Sequence, residues 1–318
     1  MKLQNKNDIS LIDYHSVESV KDIISNNRED ISFVIGNGIN RYYKNDNLSW
    51  ESLLLELWNT FSKKEFQQNE IFSGISFTEF YDAIEIQNFH KSNFSSNLQK
   101  IVKEKMSPWE PDQKQNIIID KIRELNAPIL TTNFDDLIAK SSNLEFHKTE
   151  KKGFTDFYPW SCYHSDRNLE NPTDGFGIWY PNGMVKYHRS IKLGLSQYMG
   201  NVERARKMIH SNYEEIAFTG KNQNNWIGQK TWLHILFNKS LFILGLGLEE
   251  NEVFLRWLLI ERAKYFQRFP ERKKLGWYIT TRNESDKNYN GKKFFLESVG
   301  IKVIEVENYD IQYKLIWN

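Results

Sequence analysis

The stretch "ILTTNFDDLI", residues 129–138, decides how this chain reads. Its first half is an apolar strand ending in two hydroxyls, and its second half, from Phe134 on, can open a helix. Between them stands Asn133. An Asn there either caps the following helix by accepting from its first free N–H groups, or stands at the carboxyl end of a strand, where open α/β sheets bind ligands. Asn both donates and accepts, so in the second case it can hold a hydroxyl or orient a water. Asp135 poses the same choice between first-turn acid and polar contact.

Strand and helix signals alternate on both sides of this segment. Upstream, "ISFVIGNGINR" (31–41) is a β-rich run broken by Gly36-Asn37-Gly38, and "SWESLLLELWNTF" (49–61) has helical spacing with Ser49 as its expected N-cap. Residues 77–106 read as one or two helices and "DQKQNIIIDKIREL" (112–125) as another. Downstream, residues 141–230 are polar, aromatic and rich in Gly, Asn and Tyr, which reads as an inserted subdomain. It holds a short strand candidate, "GMVKYH" (183–188), and a helix candidate, "NVERARKMIHS" (201–211). The rhythm returns with "SLFILGLGLEENEVFLRWLLIERAKYF" (240–266), "LGWYIT" (275–280) and "GIKVIEV" (300–306). Five strands separated by helices predict an α/β fold, a Rossmann-like doubly wound parallel sheet with a helical and irregular insertion. The expected organisation is one domain over residues 1–318, with its core in 30–140 and 240–318 and the insertion at 141–230.

Composition sets limits. Of 318 residues, 40% are apolar and 26% charged, as in soluble globular proteins, and the formal net charge is +1. No global field therefore recruits nucleic acid or an anionic membrane, and local runs such as "RKMIH" and "PERKK" read as solvated faces. The N-terminal "MKLQNKNDISLIDY" lacks a signal-peptide core and no run reaches transmembrane length, so a cytoplasmic protein is expected. Ten Trp and an aromatic share of 14% suit large buried clusters or an interface. The single cysteine, Cys162, excludes an intrachain disulfide and any four-cysteine zinc module.

Two glycine turns carry the next signal. Gly36 and Gly38 follow one strand, and Gly245 and Gly247 follow another; such turns let a backbone approach a pyrophosphate. The third glycine of the usual dinucleotide fingerprint is absent after Gly38. Ordinary turn chemistry explains either turn alone, whereas two at carboxyl ends of one sheet face one crevice. Arg41 can reach a phosphate or serve as a surface charge. Glu249 and Glu250 are expected in the first turn of the following helix, where they stabilise its dipole or contact a ribose. None of the seven histidines has HExxH spacing. His188 ends a strand candidate, where a general base could enter the crevice. The alternative pair, Cys162 with His164, has no third group to orient it.

Four segments in order, "VIGNGINR", "ILTTNFDDLI", "VKYHRSI" and "LFILGLGLEENEVFLRWLL", resemble the sirtuin-like (silent information regulator type) domain of bacterial anti-phage defence proteins. The resemblance spans residues 30–306, and Thr-Thr-Asn-Phe-Asp is its most specific part. It implies NAD+ as substrate, with Asn133 and His188 as catalytic residues. It also implies Gly36, Gly38 and Arg41 in the first nucleotide-binding loop, Asp135 near the nicotinamide, and Gly245 and Gly247 near the adenosine ribose. Asn37 and Thr132 are carried with them as nucleotide contacts. Asn37 departs from the family's small residue, and Arg189 replaces the glycine that follows the histidine.

The implied activity is NAD+ glycohydrolysis to nicotinamide and ADP-ribose, without zinc, in an abortive-infection role. Deacylation is disfavoured by the lone cysteine. With no sensor domain downstream, the trigger is expected to be a regulatory partner, self-assembly into a homo-oligomer, or the insertion. The alternatives are a non-catalytic NAD- or ADP-ribose-binding subunit and an ADP-ribosyltransferase.

Overall fold

The computed structural model describes residues 14–44, 50–62, 74–88, 94–150, 158–210, 217–219, 223–249, 252–282 and 288–318. Ser49 and Glu250 lie outside these residues. An eight-stranded sheet has the order β3-β4-β5-β2-β1-β6-β7-β8. The strands are β1 (Ile31–Ile35), β2 (Ile129–Thr131), β3 (Glu145–Lys148), β4 (Cys162–Ser165), β5 (Ile178–Trp179), β6 (Ser240–Leu244), β7 (Gly276–Thr281) and β8 (Lys302–Val306). From β5 through β8 every pairing is parallel; β4 runs antiparallel to β5, and β3 to β4. The expected Rossmann-like α/β sheet is present. Residues 141–230, set apart by composition, supply β3, β4 and β5 to this same sheet.

Every residue of β1 and β6 is buried, so both faces need cover, as parallel sheets require. Alternating side chains supply two cores. Val34, Leu130, Leu241 and Ile243 pack with helices Leu233–Asn238, Val253–Arg268 and Tyr289–Ser298 on one face. Phe33, Ile35, Ile129, Phe242 and Leu244 pack with helices Val17–Asn26 and Gln115–Glu124 and with the C-terminal Ile316 and Trp317 on the other. A third cluster joins helices Trp50–Phe61, Phe77–Gln87 and Phe94–Met106 to Phe134, Ile191 and Leu193. It forms a helical layer against the Asn133 turn.

The chain leaves β1 toward β2 on one side and returns as β6 on the other, which makes the carboxyl ends of β1 and β6 the topological switch point. Two expectations are corrected. "GMVKYH" is no strand: Val185–Ser190 is a 3-10 turn. Gly183 turns the backbone with φ +92°, and Ser190 Oγ then accepts from Met184 N (3.0 Å), curling the segment onto itself. Glu249 lies outside a helical first turn, since the helix begins at Val253; it instead pairs with Lys292 at 2.7 Å.

Candidate functional site

The two glycine turns clasp each other at the switch point. Gly36 N donates to Leu244 O (3.0 Å) and Gly38 N to Gly245 O (2.8 Å). A Cβ on Gly36 would come within 2.8 Å of Leu246 Cα, and one on Gly38 within 2.6 Å of Gly245 Cα. Both glycines are thus demanded by backbone lying on backbone. Gly245 has φ +66°, which turns the chain back over the first loop. Gly247 is looser: a Cβ there would meet nothing nearer than Glu249 at 3.5 Å.

Beside them, the end of β2 is tied to the end of β1. Thr131 Oγ1 donates to Ile35 O (3.0 Å) and Thr132 N to the same carbonyl (3.1 Å). Asn133 N donates to Thr131 Oγ1 at 3.2 Å. The helix opens only at Leu137, whose N–H is taken by Asp135 Oδ1 (3.1 Å), so Asn133 caps nothing. Its side chain is 4% exposed, its Nδ2 has no partner, and it lines the main cleft. An unsatisfied buried amide costs on the order of 1–3 kcal/mol, which a bound polar group would relieve.

The cleft has a volume of about 1180 Å³, more than enough for a dinucleotide. Asn37, Gly38, Arg41, Thr132, Asn133, Gly245 and Gly247 all lie in its wall. Gly36 sits behind that wall, supporting it. Asp135 faces elsewhere. It borders a smaller cavity of about 260 Å³ with Phe134, His164 and Tyr180. There it accepts from Asn40 Nδ2 (3.2 Å), which also donates to Asn37 Oδ1 (2.9 Å), while Gln115 donates to Asn40 (3.0 Å). Burial pushes the Asp135 carboxyl up to about 6. Its place in this structure is to brace the first glycine loop against the Asn133 turn.

His188 is not among the residues lining the cleft. It is half-buried beside Lys103, Lys100 and Arg189; burial first, then these cations, lower its pKa. Cys162 is fully buried in the sheet, and His164 shares a 3.0 Å hydrogen bond with the Tyr180 hydroxyl, so that pair makes no nucleophilic centre. Among the described residues, no cluster of His, Cys, Asp and Glu could hold a metal ion, and no helix is long and apolar enough to cross a membrane.

The wall also holds groups that no motif marked. Asn182 donates to Thr132 O (3.0 Å) and accepts from Lys192 N (3.0 Å). Burial lowers the Lys192 amine to about 8, and burial with the nearby Glu249 raises Glu252 to about 7. In sequence these are single polar residues; only their convergence on the cleft distinguishes them.

Compared with known protein families, residues 127–304 match the SIR2-like domain, more than half of the chain. The chain belongs to the SIR2-like family. None of the curated proteins compared matches it. The match runs from the start of β2 into β8, covering the Asn133 turn and the second glycine turn; the first turn lies ahead of it. SIR2-like domains are NAD-dependent enzymes in general, so an NAD-related function follows from the family.

Proposed function

We propose that this SIR2-like protein is an NAD+ glycohydrolase, with the nicotinamide ribose placed at Asn133 and the diphosphate along the two glycine turns. The observation that carries the reading is the Asn133 side chain, buried, unpartnered at Nδ2 and held in the cleft wall by a strand end. In the reaction the ribose C1′–nitrogen bond breaks and its electron pair leaves with nicotinamide, forming neutral nicotinamide and an oxocarbenium-like ribose. Water adds to C1′ and loses a proton, giving ADP-ribose. A fixed carboxamide in a partly desolvated pocket can orient that water at little reorganisation cost.

His188 remains the base that the family resemblance implies, and for that role the Met184–Ile191 loop would have to turn toward the cleft. Its present position favours a second reading, a subunit that holds NAD+ or ADP-ribose without cleaving it. One assay separates them: incubate the protein with NAD+, alone and with cell extract from its host, and follow free nicotinamide and ADP-ribose. Release that Asn133→Ala abolishes in a folded protein supports hydrolysis. Binding without release supports the holding subunit, and label on protein supports ADP-ribosyl transfer. As an NAD-depleting effector in anti-phage defence, the protein is expected to be held slow until a partner or self-assembly releases it; full turnover by the isolated chain would refute that restraint.

A further inference from the structure

The C-terminal helix Tyr309–Tyr313 belongs to none of the motifs, yet it forms part of the cleft wall. It packs on β7 and β8 and is held to the first glycine loop's helix by Tyr42, whose hydroxyl donates to Asp310 (2.7 Å), and Tyr43, whose hydroxyl donates to Tyr313 O (2.7 Å). Tyr313 stacks on Tyr42 with centroids 4.9 Å apart, and its hydroxyl lies against both glycine turns, where it would be 2.9 Å from a Cβ on Gly245. The helix is therefore fixed at the far side of the switch point from Asn133.

Gln312 is the unexplained group on it. The residue is 3% exposed, it lines the cleft, and its Oε1 has no hydrogen-bond partner. Its main-chain carbonyl is already used, accepting from Trp317 Nε1 (2.9 Å), so the backbone is anchored independently of the side chain. A buried amide oxygen without a donor marks a place for a ligand N–H. Tyr309, exposed in the same wall, offers a ring face beside it.

The sheet order sets which part of a ligand reaches this point. Asn133 follows β2, the glycine turns follow β1 and β6, and the C-terminal helix covers β7 and β8. With neighbouring strands roughly 4.8 Å apart, β2 and β7 are separated by about 14 Å, a span for two nucleosides joined by a diphosphate. If the cleaved ribose sits at Asn133, the other nucleoside ends at the C-terminal helix.

We propose that Gln312 reads the base of the bound dinucleotide, its side-chain oxygen accepting from the exocyclic amine of adenine. This rests on the dinucleotide reading of the cleft. Unsubstituted purine carries no amine at that position and would leave the Gln312 oxygen unpaired, so the site should bind it less well.

Calorimetric titration of the intact protein with ADP-ribose and with its counterpart carrying unsubstituted purine in place of adenine tests this. The wild type should prefer ADP-ribose about tenfold or more. Gln312→Met, which keeps the side chain's length and the Trp317 bond, should bring the ratio close to one while thermal melting stays unchanged. Equal binding of both ligands by the wild type overturns the inference without any variant. A preference that survives in Gln312→Met also overturns it, though the dinucleotide reading stands. Failure of the wild type to bind either ligand overturns both.

Discussion

The Asn133 turn and the His188 loop touch each other, with Val185 N donating to Phe134 O at 2.7 Å, but they are built on different principles. Asn133 follows a strand whose register is set on both sides: Ile129, Leu130 and Thr131 pair with Phe33, Val34 and Ile35, and β5 pairs on the other edge. Its position is inherited from the sheet. His188 lies in a 3-10 turn closed on itself by Ser190 and held from outside by Gln99, which donates to Ile191 O (2.8 Å). Its position rests on local turns and on single bonds to neighbouring segments, with no strand register behind them. A strand end at a switch point is thus a rigid mount, whereas a self-closed loop can be rebuilt at modest cost.

The largest effect expected from that contrast is at the rigid mount. Asn133→Ala should lower nicotinamide release about 10²–10³-fold, the usual loss when one preorganised polar group is removed. Because Nδ2 has no partner to lose, its urea midpoint should stay near that of the wild type; a large drop would mean the Asn is structural after all.

Asp135, on the reverse of the same turn, sharpens the comparison through pH. Its carboxyl is raised to about 6 in the fold by burial, against 3.8 unfolded. A raised carboxylate contributes its stability below the unfolded value and loses it as pH climbs through the folded one. Asp135→Asn cannot ionise, so between pH 4 and 7 it should gain about 2 kcal/mol relative to the wild type. Parallel denaturation curves for the two proteins across that range would expose the error.

In the loop, Ser190→Ala removes the hydroxyl that both accepts from Met184 N and donates to Met184 O, and should cost about 1–2 kcal/mol by thermal or urea unfolding. The smallest effect is expected at His188. If it stays where the structure places it, His188→Ala should slow nicotinamide release by less than about tenfold, well below the Asn133→Ala loss. Equal losses would break the contrast, and would mean that the loop turns into the cleft when NAD+ binds.

How much of this was legible depended on how each element is stabilised. The runs of β1, β2 and β6 announce themselves because strands buried on both faces must be largely apolar. β7 and β8 keep enough of that pattern to be read, although Thr281 and Lys302 reach toward solvent. β5 has two residues, Ile178 and Trp179, too few for any periodicity, and exists because β2 offers an open edge. The 183–188 run has strand-like residues, yet Gly183 and Ser190 bend it. Among site residues, Asn133 and the glycine turns stand in contiguous motifs, whereas Asn182, Lys192, Glu252 and Gln312 are lone polar residues on separate elements.

What the amino-acid order determined alone is the alternation of apolar strands with amphipathic helices, hence the parallel sheet, and the two glycine turns with Asn133 at strand ends. These follow from local chemistry: side-chain periodicity, glycine's freedom and the solvation of backbone groups. Only the tertiary structure decided that Asp135 faces away from the cleft, that His188 stays behind it, and that the last helix brings Gln312 and Tyr313 into its wall. Those outcomes depend on which surfaces meet across the sheet order, and contacts between residues far apart in the chain leave no local trace in its sequence.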